Sequence, residues 1–177
     1  WVDSNGDGTR DKDGVELVLI YGTTTREIRQ DTQAVAQQQL AEIGVGVELL
    51  NFDSDLFFAT DGPAASGELD IMQWSDTTEF PDPTISYWLI DEIPTEDNPI
   101  GLNWQRIRDQ ELNDLFVEAD STPDPEARQE LYHEISRQMF DKVYWLGIWQ
   151  DPDLFGVSED LTNVLLSGPA PFFNIAE

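Results

Sequence analysis

The sequence predicts an α/β domain, on three observations. A strand-like run at 15–21, a helical periodicity over 26–43 and a second β-rich run at 45–50 follow one another within some 35 residues. That order is a βαβ unit, whose two strands run parallel. A third strand-like run at 69–74 and amphipathic helices near 109–119 and 125–142 then supply more sheet and flanking helices.

Each element has a local cause. Residues 1–14 are a polar, Asp- and Gly-rich arm. Val15 to Tyr21 alternates at its start and then turns fully apolar, as a strand with a buried end does. Gly22 and Thr23, Thr24 and Thr25 read as a turn that caps the next helix. In that helix Ile28, Thr32, Val35, Ala36, Leu40 and Ile43 recur at helical spacing on one expected inward face, and Gly44 fits the stop. Asp53-Ser54-Asp55 is placed to cap a brief helix through Leu56, Phe57 and Phe58, and 61–67 reads as a loop. The stretch from 75 to about 104 is rich in Pro, Asp and aromatics and holds a short helix near 85–89; segments this long usually carry function. Leu112, Leu115 and Phe116 face inward from the next helix. After a linker at 120–124, Asp124-Pro125-Glu126 is a strong helix start, with Leu131, Ile135 and Met139 inward. Val143 to Trp149 reads as another buried strand, and 151–177 as an irregular tail.

Composition narrows the function. The chain has 177 residues, a formal net charge of −27 and no cysteine. Thiol nucleophiles, cysteine zinc sites and iron–sulfur clusters are therefore excluded. Nucleic acid is a poor partner for so acidic a chain, because binding it requires Lys and Arg on the phosphates. Lysine is confined to Lys12 and Lys142, so solubility rests on carboxylates, as suits an extracellular protein. No apolar run reaches the ~20 residues that span a bilayer. The start at Trp1 carries no basic or apolar leader, and the chain reads as a piece of something longer.

Three groups of residues carry chemistry. In the arm, Asp3, Asn5, Asp7, Thr9 and Asp11 put oxygens at every second position with Gly8 and Gly6 between, like the first half of an EF-type calcium loop; the twelfth position is Gly14 rather than a bidentate acid. Calcium is thus the one candidate ion, against a plain Asp/Gly turn, and no cofactor is required. The segment from Trp74 through Asp76, Glu79 and Asp82 to Trp88 leaves the end of a parallel strand, where open α/β sheets bind ligands. Its indoles and carboxylates suit a polar or cationic ligand, or else pack on the domain itself. Asp76, Glu79 and Asp82 also raise the alternative of a carbohydrate-active enzyme working with paired carboxylates. A calcium-stabilised extracellular structural module is the third class. His133 falls on the outer side of its helix, beside a solvated row of Glu126, Glu130 and Glu134.

Taken in order, several motifs resemble one family. They are Asp13-Gly14-Val15-Glu16-Leu17, Gln38-Gln39-Leu40-Ala41-Glu42-Ile43-Gly44-Val45, Leu69-Asp70-Ile71-Met72-Gln73-Trp74-Ser75, Pro81-Asp82-Pro83, Asn98-Pro99-Ile100-Gly101-Leu102-Asn103-Trp104 and Arg128-Gln129-Glu130-Leu131-Tyr132. The set resembles the C-terminal lobe of extracellular solute-binding proteins of family 5, the oligopeptide-, dipeptide- and nickel-type receptors of ABC importers. The resemblance implies a type II periplasmic-binding-protein lobe with a mixed sheet, spanning 15–150, with the tail returning toward an N-terminal lobe. It implies a binding protein rather than an enzyme, a peptide or small polar solute, importer membrane subunits as partners, and an extracellular or periplasmic site reached through a lipoprotein anchor. In peptide-binding relatives an Asp three residues after the strand's Trp holds the peptide's amino terminus. Here Thr77 stands there, with Asp76 one residue before and Glu79 two after. The implied ligand contacts are Trp74, Asp76, Thr77, Glu79, Trp88, Asn103 and Trp104.

Overall fold

The computed structural model describes residues 1–76, 82–152 and 156–160. Two short strands, β1 (Asp11–Lys12) and β2 (Val15–Glu16), pair antiparallel and finish the arm. Then come β3 (Val18–Thr24), α1 (Glu27–Glu42) and β4 (Gly46–Phe52). One-turn helices α2 (Ser54–Phe57) and α3 (Pro63–Ser66) lead to β5 (Ile71–Gln73). Two 3₁₀ turns, Ile85–Tyr87 and Ile90–Glu92, precede the long helices α4 (Gln110–Ser121) and α5 (Pro125–Asp141).

Among the described residues the main sheet has the order β4-β3-β5, and both pairings are parallel. The expected βαβ unit is therefore present, with Val18 opposite Gly46 and Thr24 opposite Phe52. The expected turn at 22–25 is not. Gly22, Thr23 and Thr24 continue β3 opposite Leu50, Asn51 and Phe52. The β-branched threonines favour the pleated conformation. Gly22 packs closely there: a Cβ would meet the end of the Leu69 side chain at 2.4 Å and push it aside. The helix is entered instead through Arg26, which makes no side-chain cap.

The inward face of α1 also differs from the periodicity. Ile28, Val35 and Ile43 are exposed, whereas Arg29 and Gln33 are buried. Polar groups win that face because they reach strand carbonyls. Gln33 Nε2 donates to Tyr21 O at 2.8 Å and to Leu50 O at 3.3 Å, and Gln37 Nε2 donates to Val47 O at 2.7 Å. The stop is as expected: Gly44 takes φ +79° and its N–H bonds Ala41 O.

An apolar core cluster lies in the helical half, while Tyr21, Phe57, Ala64 and Ala65 are buried on the sheet side. Ile107, Leu112, Phe116, Ala119 and Ile135 are buried together, with Trp88, Leu131 and Met139 packed against them. Asp109 and Asp124 cap α4 and α5 through the N–H groups of Leu112 and Glu126. Residues 143–149, expected as a buried strand, form no strand here. Val143, Leu146 and Ile148 are more than half exposed. Their composition suits a sheet interior, yet no described strand lies beside them to supply the ladder. Among the described residues no helix is long and apolar enough to cross a membrane.

Candidate functional site

The parallel strands end together at Thr24, Phe52 and Gln73, and the chain emerges there as Trp74-Ser75-Asp76. A cavity of about 470 Å³ opens at this edge. Trp74, Ser75 and Asp76 form one wall, Phe58 after β4 another, and Tyr87, Trp88, Leu102, Trp104, Gln105 and Trp145 the rest. Its volume is that of a small-ligand site. Four indoles meet there at steep angles: Trp74 on Trp145 at 5.2 Å and 76°, Trp88 on Trp145 at 5.5 Å and 81°, Trp74 on Trp104 at 6.2 Å and 65°. Edge-to-face contacts of this kind fix each ring.

The walls are held from behind. Trp88 stacks on buried Phe116, with ring centroids 6.0 Å apart and planes at 3°. Asn103 is fully buried; its Nδ2 donates to Leu89 O and Ile107 O, and its Oδ1 accepts from Ile107 N. It ties the Leu102–Gln105 segment to the backbone next to Trp88. Trp104 spends its Nε1 on Gly101 O at 3.1 Å. Behind Ser75, the Arg29 guanidinium donates to Thr24 Oγ1 at 2.7 Å and to Ser75 Oγ at 2.9 Å, and Arg26 reaches the same Ser75 oxygen. Burial first, and then the like charge of Arg26, pull Arg29 below the ordinary guanidinium value. Arg26 also pairs with Asp151 at 2.8 Å, an exposed contact of small energetic worth.

Of the expected ligand contacts, Trp74, Asp76, Trp88 and Trp104 line this cavity. Asn103 does not; it positions its neighbours. Thr77 and Glu79 lie outside the described residues. Asp82 lines a different depression on α5, of about 290 Å³, where it pairs with Arg128 at 3.4 Å. Asp76 and Asp82 are thus not brought together as a facing acid pair. Phe58, Gln105 and Trp145 carry no signal in the sequence that singles them out. Trp145 stands inside a run with the composition of a buried strand, and Phe58 at the end of a short helix.

The arm is organised by its own hydrogen bonds. Asp3 accepts from the N–H groups of Gly6 and Gly8, Asp7 from Thr9 N and Asn5 Nδ2, and Asp11 from the N–H and hydroxyl of Ser4. These bonds hold the Asp7 and Asp11 carboxyls below the ordinary range. Among the described residues no three His, Cys, Asp or Glu side chains converge as a metal site.

No family model matches the chain. The oligopeptide-binding protein AppA of Bacillus subtilis is 25% identical over 177 residues, 99% of this chain and 31% of that protein. The structure of that protein with a nonapeptide superposes at TM-score 0.66 and 26% identity, covering 81% of this chain and 28% of the other. The chain is homologous to a part of this oligopeptide-binding protein. An oligopeptide-binding protein of Thermus thermophilus, complexed with a pentapeptide, shares the fold at TM-score 0.69 and 22% identity over 78% of this chain and 26% of its own. So does a nickel ABC transporter protein of Bacillus halodurans, at 0.59 and 23% over 78% and 28%. The α/β fold is therefore that of a type II periplasmic-binding-protein-like solute-binding protein, and the chain spans under a third of the length of these relatives. Two of the relatives are named as oligopeptide-binding proteins and one as a nickel ABC transporter.

Proposed function

We propose that this chain is the ligand-binding lobe of an ABC importer's solute receptor and binds a peptide or other small polar solute. The observation that carries the reading is the aromatic cavity at the carboxyl ends of three parallel strands. That is where an open α/β sheet takes its ligand. The relatives named as oligopeptide-binding proteins support reading the site as one for binding. The reading calls for no cofactor. The relatives' partners suggest importer membrane subunits, an extracellular or periplasmic location and a lipoprotein anchor for the whole receptor.

Closure of a second lobe over this cavity would complete the ligand contacts and shift an open–closed equilibrium. One lobe keeps only its own share of contacts, so this chain alone binds weakly. The test is a titration of the chain with a mixed oligopeptide pool, followed by the indole N–H signals of Trp74, Trp88, Trp104 and Trp145. Selective shifts of these signals at weak affinity are expected. Micromolar binding would overturn the half-site idea, and unmoved indoles would overturn the cavity as the site.

A further inference from the structure

Resting on the reading of this cavity as the solute site, we infer that Ser75, with Arg29 and Arg26 behind it, is a subsite for a carboxylate of the solute. Ser75 is exposed and lies in the cavity wall. Its oxygen accepts from Arg29 Nη2 at 2.9 Å and from Arg26 Nη1 at 3.3 Å. A serine hydroxyl has two acceptor positions and one proton. Both acceptor positions are therefore taken, and the hydroxyl is left to act as a donor. The charge behind it is unbalanced. Arg29 is 9% exposed, and among the described residues it forms no ion pair with a carboxylate. Its guanidinium bonds only the hydroxyls of Thr24 and Ser75, and its Nε has no partner there. Arg26 pairs with Asp151 at the surface, so two cations share one carboxylate. A buried charge without a counter-ion is costly, and an anionic ligand group removes part of that cost.

The rest of the wall is consistent with an acceptor. The indole N–H groups of Trp74, Trp88 and Trp145 have no acceptor among the described residues, whereas Trp104 Nε1 is spent on Gly101 O. Asp76, the one charged side chain lining the cavity, already has a partner. An ammonium at Ser75 would meet a donor with two guanidinium groups behind it. A neutral carbonyl accepts the hydroxyl but brings no counter-charge. A carboxylate does both, and hydrogen bonds to an ionised acceptor are roughly twice as strong as neutral ones. The two guanidinium donors also polarise the serine hydroxyl, which strengthens the bond it gives.

The test follows indole N–H signals of the 177-residue chain during titration with N-acetylalanine and, separately, its neutral amide at neutral pH. The acid should bind about tenfold more tightly than the amide. Ser75→Ala should erase most of that preference. Arg29→Gln should reduce it several-fold and Arg29→Lys should restore part of it. The readout is the ratio of acid to amide affinity, because a merely structural loss lowers both alike, and an unchanged indole spectrum without ligand checks the fold of each variant. Two further pairs locate the carboxylate: trialanine against its amide, and alanyl-glutamyl-alanine amide against its glutamine counterpart. A preference in the first pair assigns the group to the carboxyl end of a peptide, one in the second to an acidic side chain, and one for N-acetylalanine alone to a small acid. Equal binding of N-acetylalanine and its amide, or an undiminished preference in Ser75→Ala, overturns the inference. If an oligopeptide pool moves the indoles while no carboxylate has an advantage, only this inference falls. If neither moves them, the solute-site reading falls with it.

Discussion

The sheet half and the helical half of this molecule are held by different forces. Around α4 and α5 the buried side chains are apolar: Leu112, Phe116, Ala119 and Ile135. Around β3 and α1 they are largely polar: Thr23, Thr24, Arg29, Gln33 and Gln73. Each of these finds a hydrogen bond. Thr23 Oγ1 donates to Gln73 O at 2.6 Å, Tyr21 Oη to Gln73 Oε1 at 2.7 Å, and Gln33 to strand carbonyls. The helical half is thus held mainly by apolar packing, and the sheet half adds directional bonds at the strand ends to the burial of Tyr21 and Phe57. The cavity lies where the two meet, with Trp74 from the sheet and Trp88 from the helical side.

This contrast can be broken experimentally. The largest effect should come from Phe116→Ala, which removes a fully packed ring and should cost about 3–5 kcal/mol in urea unfolding. It should also loosen Trp88 and broaden its indole signal. Thr23→Val keeps shape but deletes the hydroxyl that serves Gln73 O, and should cost about 1–3 kcal/mol. If it proves the more costly of the two, the helical half is not the main core. Gly44→Ala should cost about 1 kcal/mol, because φ is +79° there and a Cβ would press on Arg10. An unchanged unfolding midpoint would mean that the helix stop is not strained by a side chain.

The smallest effect is one of pH. Lys142 bonds Asp109 and, with the Leu112 N–H and Tyr144 hydroxyl, holds its carboxyl below the ordinary value of 3.8. A lowered carboxyl contributes stability above its unfolded value and loses it as pH falls through the folded one. Wild-type protein should therefore lose more stability between pH 5 and about 2 than Asp109→Asn does. Parallel curves would show that the bond contributes nothing to the fold.

Much of this is legible locally. The βαβ order, the Asp109 and Asp124 caps, the Gly44 stop and the inward faces of α4 and α5 follow from short-range rules, and the structure repeats them. Trp74, Asp76, Trp88 and Trp104 are visible as candidates because they flank a strand end in a Pro- and Asp-rich stretch. The face of α1 is not legible. Its apolar spacing points to Ile28 and Val35, but glutamine and arginine side chains reach strand carbonyls that only the folded sheet presents. Trp145 escapes for a similar reason. Its run has strand composition, but a strand exists only beside a partner, and its indole packs instead on Trp74 and Trp88.

By itself, the sequence determined the βαβ unit, the two long helices α4 and α5 and the stop of α1 at Gly44, because propensity, capping and periodicity act over a few residues. It also determined the acidic, cysteine-free character of the chain. Only the tertiary structure decided that Phe58, Gln105 and Trp145 join Trp74 and Trp88 around one cavity, and that Asp82 turns away to Arg128. Those meetings join positions up to 87 residues apart, from Phe58 to Trp145, and are set by how helices pack on the sheet, which no local pattern encodes.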